Sequence, residues 1–393
     1  MLFASTDCFM RLRTKATCCK FFFRESLINP GFQTLYLAGM NLWPILLLSC
    51  LITLVNNRVE AQSHDPIADR MLVYQRSIGG WPKFLYDKDH KGVKVDYSKA
   101  LSDEEADAIR ADSLASDATY DNHSTSREIR YLIQAYKTTG NKKYLRAAEK
   151  GIRYILNGQY KTNGGWPQFY PVRKGYPSHI TYNDDAMVNN LEILQDIVDK
   201  TKNMEVIDSS LIALSKKAVD RGVQCILLTQ VKVDGKLTAW CAQHDTTTLR
   251  PANARAFEPA ALNSSESAGI VRFLMRQQNP SPKLVQAITS AMEWFENSRI
   301  EGYQFETVTG ASYQNEKDRV LVADAHAVIW ARFYEIETNA PFFTGRDGIK
   351  RKSVSDIEYE RRNGYAWYGS WPQKLLDKDF PIWKAANKII DRR

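Results

Sequence analysis

The sequence predicts an all-α fold, a curved or closed array of antiparallel helix pairs packed side by side. Apolar residues recur at helical spacing in many segments, whereas segments with strand-like alternation are few. The turn Gly-Gly-Trp-Pro at 79–82 recurs at 164–167, each time between a helix and a polar loop that leads into another helix. An internal repeat of this kind indicates stacked helical units.

The helices are predicted from the helical spacing of apolar residues and from residue types that commonly begin or end helices. Gly79 and Gly80 end the first helix, and Gly140 ends the second. The acidic segment 100–115 is predicted to be an exposed loop or helix without a chemical role. In chain order, helices are predicted at 65–77, around Ile129–Tyr136, at 143–156, around Met187–Val198, at 209–229, from an N-cap at Asn263, Ser264 or Ser265 through Met275, at 283–297 and around Trp330.

Residues 240–267 form the stretch richest in groups that bind or transfer charge. Apolar residues in its first half show no period of two or of 3.6 residues, so it is predicted to be a loop. Two prolines restrict its backbone and are expected to stiffen the loop. Long polar loops within an otherwise periodic chain usually carry function. The alternative is a surface loop whose charges are satisfied locally.

Polar loops before three of the helices are expected to meet at one end of the array, because paired helices return their turns to the same side. This arrangement would bring Asp121, the Asp184–Asp185 pair and the loop of Arg255 to one mouth. Three carboxylates there suit Ca²⁺, which prefers several oxygen ligands. They also suit a general acid and base pair, or simple N-capping of the helices.

Three arginines, Arg255, Arg332 and Arg346, are candidate ligands for an acidic sugar, because guanidinium forks bind carboxylates in a bidentate manner. Structural pairing with Glu258, Glu335 or Asp347 is the alternative. The tryptophans of the repeated turns are expected to anchor the core, with a sugar-stacking platform as the alternative. We find no phosphate loop, nucleophile elbow or metal-histidine motif.

The N-terminal region resembles an export signal. Residues 42–55 form an apolar run too short to span a bilayer comfortably, and Val59-Glu60-Ala61 resembles a cleavage site. We therefore predict a leader with a signal peptide at 1–61, with Met1 or Met40 as the start, and a single catalytic domain at 62–393. A lipoprotein through Cys50 and a membrane anchor are the weaker alternatives.

The net charge narrows the class of partner, and the cysteine content narrows the kinds of covalent or metal cross-link. The formal charge is +8, which favours an acidic partner, but no basic run interleaved with aromatic residues points to nucleic acid. Two cysteines remain after the leader, Cys225 and Cys241, which is too few for a disulfide framework or a zinc site. They either pair or remain buried thiols.

Several motifs in order resemble the pectate lyases of polysaccharide lyase family 10. The resemblance covers about residues 67–372. It is carried by the two Gly-Gly-Trp-Pro turns, Asp121-Asn122, Asn183-Asp184-Asp185-Ala186-Met187, Ala254-Arg255-Ala256-Phe257-Glu258-Pro259, and Trp330-Ala331-Arg332-Phe333-Tyr334-Glu335 running to Arg346-Asp347-Gly348. Departures are His123 and Arg127, where smaller or less charged residues are expected, and 324–326, where a proline-containing turn is expected.

The resemblance implies an α/α toroid, polygalacturonate as substrate and Ca²⁺-assisted β-elimination. The predicted signal peptide implies secretion, and a monomer is expected. The resemblance also implies that Arg255 is the base, that Arg332 and Arg346 bind substrate carboxylates, and that Asp121 acts at the cleavage site. Asp184 and Asp185 are expected on the calcium side. Neither nucleic acid nor a stable membrane partner is expected.

This chemistry suits these residue types. The proton at C5 of a uronate is very weakly acidic, and its removal is eased when cations neutralise the adjacent carboxylate. An arginine base needs a strongly cationic setting, since its pKa ordinarily exceeds about 12, so an alkaline optimum is expected. Two alternatives remain, an α/α-toroid glycoside hydrolase that uses paired aspartates and a non-catalytic binder of acidic glycans.

Overall fold

The computed structural model describes residues 64–86 and 91–389. The helices are α1 (Pro66–Tyr74), α2 (Asp103–Ala111), α3 (Ser126–Thr139), α4 (Lys142–Gly158), α5 (Ala186–Asp199), α6 (Ser210–Thr229), α7 (Ser264–Met275), α8 (Pro282–Asn297), α9 (Tyr359–Gly364) and α10 (Phe380–Ala386). The strands are β1 (Phe84–Tyr86), β2 (Gly92–Lys94), β3 (Ile180–Thr181), β4 (Lys232–Val233), β5 (Lys236–Leu237), β6 (Gln243–His244), β7 (Leu262–Asn263), β8 (Ile300–Thr309), β9 (Lys317–Ala331), β10 (Phe333–Tyr334), β11 (Phe343–Thr344), β12 (Lys350–Arg351) and β13 (Tyr368–Gly369).

The predicted helix pairs are present. Helices α3 and α4, α5 and α6, and α7 and α8 pack against one another, each pair joined by a short connection. Gly140 ends α3 in the left-handed conformation, with φ of 71°, as a glycine after a helix typically does. Asn263 caps α7 by accepting hydrogen bonds from two backbone N–H groups of its first turn. Local sequence signals thus located these helices to within a few residues.

A repeated tryptophan hydrogen bond closes the helix ends. The indole N–H of Trp81, Trp166, Trp240 and Trp330 each donates to a carbonyl in the last turn of α1, α4, α6 and α8, at 2.7–2.8 Å. The last four carbonyls of a helix lack the backbone partner that the helix interior provides, and the indole N–H supplies a donor to one of them. The Ile226 and Phe295 carbonyls also accept from Thr229 and Ser298. All four rings are fully buried. The expected role as core anchors is therefore confirmed, and a sugar-stacking platform is excluded for them.

A repeated glutamine ties each of these helices to the next one. Gln75, Gln159 and Gln230 follow the last residues of α1, α4 and α6, and each amide donates to its own turn and to a carbonyl of α4, α6 or α8. The first two turns also need glycine. A Cβ at Gly79 or Gly164 would lie 2.5 Å from a backbone oxygen of the adjacent helix. The internal repeat in the sequence thus corresponds to a repeated set of tryptophan, glutamine and glycine contacts in the structure.

The prediction of an all-α fold is wrong. Antiparallel strands occur throughout the chain, and β8 and β9 form a hairpin of 10 and 15 residues, with β13 on the far edge of β9. The segment around Trp330, expected to be helical, lies at the end of β9. Its Ala-rich sequence tolerates a helix, but alternating exposed and half-buried positions and the pairing of Phe305 with Leu321 show a strand whose partner lies in the preceding segment.

The strands that carry the loops are short. The pairs β3–β6 and β7–β10 each contain two residues per strand and connect loops that are distant in sequence. Cys225 and Cys241 are free and buried, so the two thiols do not pair. Within the described residues, no helix combines the length and apolarity needed to cross a bilayer. The predicted signal peptide lies outside them, so the boundary at 61 stays a prediction.

Replacement of Trp166 by phenylalanine tests the indole hydrogen bond. Trp166→Phe leaves the Ile155 carbonyl buried without its donor. We expect the free energy of unfolding to fall by about 2 kcal/mol. Chemical denaturation measures the change, and Trp371→Phe, at a half-buried tryptophan outside the repeated turns, is the matched control. Equal effects of both substitutions would contradict the capping role.

Candidate active site

Two tight turns place aspartates beside each other in front of helices α3 and α5. Residues 121–123 and 183–185 form 3₁₀ turns that pack together. Left-handed backbone occurs at Asn122 and His123 in the first turn and at Asp184 and Asp185 in the second. Such conformations are uncommon outside glycine and often mark functional sites. Helices α3 and α5 are both described in full, and neither has a side-chain hydrogen bond at its N-cap. N-capping of these helices therefore does not explain the aspartates.

The carboxylates of Asp121 and Asp184 face the same space. Asp121 is buried and pairs with Lys83, whose Nζ lies 2.7 Å from Oδ2. Asn122 and Asn183 donate side-chain N–H groups to Oδ2 of Asp184, at 3.1 and 2.9 Å. The second turn is therefore held to the first through Asp184, across a separation of 62 residues in sequence.

A buried ion pair lies directly behind these turns. Glu266, in the first turn of α7, pairs with Arg332, and both side chains are buried. Arg332 also lies 3.7 Å from Oδ1 of Asp184, and the Glu266 carboxylate accepts the backbone N–H of Asp184. The guanidinium thus connects the carboxylate turns to the rest of the site. The expected partner, Glu335, pairs with Lys350 instead.

This region carries an excess of negative charge. Burial raises the pKa of Asp184 to about 6, and the charges of Asp121 and Glu266 add to the effect while Arg332 opposes it. Burial also raises the pKa of Asp185 to about 6, against the influence of Arg272. Each carboxylate would be stabilised by a cation.

The Asp185 carboxylate packs against helix α7. Its Oδ1 is buried without a hydrogen-bond partner and would lie 2.4 Å from a Cβ built at Gly269. Gly269 therefore makes room for this carboxylate. The two adjacent aspartates consequently occupy different surroundings.

The arginine half of the site is built around one aromatic ring. The guanidinium carbons of Arg255, Arg346 and Arg361 lie 4.8, 4.7 and 4.6 Å from the centre of the Phe257 ring. Cations over an aromatic face are attracted by its quadrupole, which offsets part of their mutual repulsion. A second ring, Tyr365, lies between Arg332 and Arg361 at 4.9 and 4.6 Å.

The structure thus brings the sequence-predicted residues into one connected network. Asp184 reaches Arg332, Tyr365 and the Phe257 cluster through the contacts above. Tyr176 lies in the field of both halves of the site, since burial raises its pKa, Arg255 lowers it, and Glu258 and Asp121 raise it. These residues come from six separate loops, which only the packed helix pairs can hold together.

The exposed arginines are already paired with carboxylates. Arg255 binds Glu258 through two nitrogens, with Nε 2.7 Å from Oε2. This ion pair raises the pKa of Arg255. Arg346 binds Glu360 in the same manner, rather than the expected Asp347, which pairs with Arg351. Both arginines therefore have to exchange a protein carboxylate for any ligand carboxylate.

The chain is similar to known proteins in both sequence and fold. A family model described as pectic acid lyase matches residues 75–376. This chain belongs to the pectic acid lyase family. A family 10 polysaccharide lyase from Cellvibrio cellulosa is 32% identical with a TM-score of 0.68, and the match covers 84% of this chain and 95% of that one. No curated protein sequence matches the chain significantly.

A second solved structure has a ligand. It is an aspartate-to-alanine mutant of the Cellvibrio cellulosa family 10 lyase in complex with trigalacturonic acid, 31% identical with a TM-score of 0.68, and the match covers 84% of this chain and 96% of that one. The predictions of a family 10 polysaccharide lyase and of a pectate lyase are confirmed. The alternatives of a glycoside hydrolase and of a non-catalytic binder receive no support.

Residues that the sequence did not single out complete the site of this lyase. Lys83 follows the first Gly-Gly-Trp-Pro turn, where the second copy has Gln168, and this difference between the repeats was a usable signal. Phe257 and Tyr365 carry no charge, so nothing local marked them as the rings that organise the arginines. Arg361 lay within a charged run and was indistinguishable from its exposed neighbours.

The raised pKa of Asp184 predicts a stabilising substitution. Because the folded protein binds this proton more tightly than the unfolded chain does, ionisation reduces stability as the pH rises from about 4 to about 6. Asp184→Asn should raise Tm by roughly 2–4 °C at pH above about 6, and the gain should vanish below about pH 4. Calorimetry in EDTA measures it, with the exposed Asp377→Asn as control. An unchanged or lower Tm at neutral pH would contradict the assignment.

Proposed function

We propose that the chain is a secreted, monomeric pectate lyase that cleaves polygalacturonate by β-elimination with Arg255 as base. The proposal is carried by the continuous network from the Asp121–Asp184 pair through Arg332 and Tyr365 to Arg255. It is supported by the related lyase that binds trigalacturonic acid. A network of this composition suits a polyanionic sugar chain, because cations and carboxylates alternate along it.

The elimination itself requires one proton transfer to the protein. Neutral Arg255 takes the C5 proton of a uronate, and the electrons of that C–H bond form the C4–C5 double bond as the C4–O4 bond breaks. The leaving oxygen takes a proton from water, and Arg255 returns its proton to solvent. The products are a chain with an unsaturated 4,5 end and a chain with a free hydroxyl.

Substrate carboxylates are proposed to bind Arg332 and Arg346. Guanidinium groups stabilise the negative charge that spreads onto the uronate carboxylate as C5 loses its proton. Arg346 is exposed and exchanges Glu360 for substrate at low cost, since surface ion pairs contribute little. Arg332 is largely buried and already pairs with Glu266, so a substrate carboxylate would have to reach it beside Asp184, whose Oδ1 lies 3.7 Å away.

Ca²⁺ is proposed to bind at Asp184 and Asp185, with Asp121 beside them. The donor set suits a hard cation, because the charged form of Asp184 is disfavoured and Asp185 has a buried oxygen without a partner. Within the described residues, no group of three His, Cys, Asp or Glu side chains is arranged to hold a metal alone. Oxygens of substrate and water therefore have to complete the coordination. Bound Ca²⁺ would neutralise the uronate carboxylate and acidify C5.

A direct assay tests the reaction class. Purified protein with polygalacturonate and Ca²⁺ should release unsaturated, ultraviolet-absorbing oligogalacturonides with an alkaline optimum, and EDTA should abolish the signal until Ca²⁺ is restored. Reducing ends that form without ultraviolet absorbance would indicate hydrolysis. Binding without any chain shortening would indicate a non-catalytic binder.

Substitution of Arg255 and Glu258 tests the base. Arg255→Lys should lower kcat by at least about 100-fold, since general base catalysis contributes roughly 10²–10⁴-fold. Glu258→Gln removes the charge that keeps Arg255 protonated, so the acid limb of the kcat profile should move to lower pH. Arg250→Lys, in the same loop, is the control. Retained activity in Arg255→Lys would remove this residue from the base role.

A further inference from the structure

Arg361, like Arg332, is almost completely buried, whereas Arg255 and Arg346 are exposed. It lies in the short helix α9 and is 5% exposed. Its guanidinium carbon is 4.6 Å from the ring centres of Phe257 and Tyr365 and 5.0 Å from that of Trp367. Three aromatic rings thus surround one cation.

Two of the three guanidinium nitrogens of this side chain lack a hydrogen-bond partner. Nε and Nη2 are buried and have no hydrogen-bond partner, and among the described residues Arg361 forms no ion pair. The neighbouring arginines pair with Glu258, Glu266 and Glu360 instead. A buried charge without a partner is costly, and the aromatic contacts recover only part of that cost. Such a residue reduces stability, so a role other than stability is indicated.

The position of Arg361 is central among the charges of the site. It shares the Phe257 ring with Arg255 and Arg346, and the Tyr365 ring with Arg332. Its guanidinium carbon lies no more than about 9.4 Å from that of Arg255, because the two carbons are 4.6 and 4.8 Å from the centre of the same Phe257 ring. At this separation an unpaired charge in a partly buried site acts strongly on its neighbour.

The charged groups that face Arg361 have opposing effects on its pKa. Burial lowers its pKa, Tyr365 and Glu258 raise it, and Arg346 and Arg255 lower it. The interaction with Arg255 is reciprocal, so the charge on Arg361 favours proton loss from Arg255. Glu258 opposes this by pairing with Arg255, while Glu360 compensates Arg346 and Glu266 compensates Arg332.

We propose that Arg361 is a positioning residue whose permanent, unpaired charge favours the neutral, proton-accepting form of Arg255. The inference rests on the proposed role of Arg255 as base. Arg361 does not touch the substrate. It supplies a cationic setting that is present before Ca²⁺ or substrate arrives, and the aromatic rings keep water and carboxylates from neutralising it.

The test compares a neutral with a charged replacement. Arg361→Met keeps an unbranched side chain that packs well against aromatic rings but removes the charge, whereas Arg361→Lys keeps the charge. For Arg361→Met we expect the acid limb of kcat to move upward by on the order of one pH unit, with kcat down about tenfold on that limb and KM within about twofold. Arg361→Lys should restore most of the profile, and Arg362→Gln, the adjacent charge, is the matched control.

Stability separates this role from a structural one. Arg361→Met should unfold at the same or a higher temperature than the parent protein, because it removes a buried unpaired charge. A rise in KM with an unmoved limb would assign Arg361 to substrate binding, and loss of stability and activity in both variants would make it structural. Either result, or an unchanged pH profile of kcat, overturns the proposal.

If Arg255→Lys stays active, the assignment of Arg255 as base itself fails, whereas failure confined to Arg361→Met refutes this inference alone.

Discussion

The hydrogen bond from a buried indole to the last turn of a helix is the interaction on which this structure depends. It occurs at Trp81, Trp166, Trp240 and Trp330, and each time it supplies a donor to a carbonyl in the last turn of a helix, where backbone partners run out. Because it fixes where each helix stops and where the following loop starts, it determines the position of every polar turn that follows. The glutamine bridges between helices then bring those turns into register with one another.

The site that results is divided by charge. Carboxylates collect around Asp184, and arginines collect around Phe257, with the Glu266–Arg332 pair and Tyr365 between them. Each half is unfavourable by itself, since like charges are held close together in a partly buried place. A polyuronate accompanied by a divalent cation would complement both halves. The strain in the two aspartate turns agrees with this, because stability is given up where ligand binding can restore it.

The strand content shows where reasoning from local sequence failed. The hairpin of β8 and β9 is stabilised by cross-strand pairs such as Phe305 with Leu321, and Arg362 joins its distal part to the body through Asp318 at 2.6 Å. None of these contacts is visible as a local preference, since Val320–Ile329 also contains residues that favour helices. Short strands such as β3 and β6 are likewise selected by the loops that they join. Strand formation here is a consequence of tertiary pairing, so it could not be read from periodicity.

The sequence by itself located the helices of the three packed pairs, because amphipathic spacing and capping are local properties, although it also predicted a helix around Trp330 where a strand lies. It also determined the family, through motifs that occur in order along the chain. Only the tertiary structure decided which charges are paired. Arg255 meets Glu258, as its spacing suggested, but Arg332 and Arg346 meet Glu266 and Glu360, and Arg361 meets no carboxylate among the described residues. Burial and partner choice depend on contacts between distant segments, and these contacts set both the free energy of a charge and its chemistry.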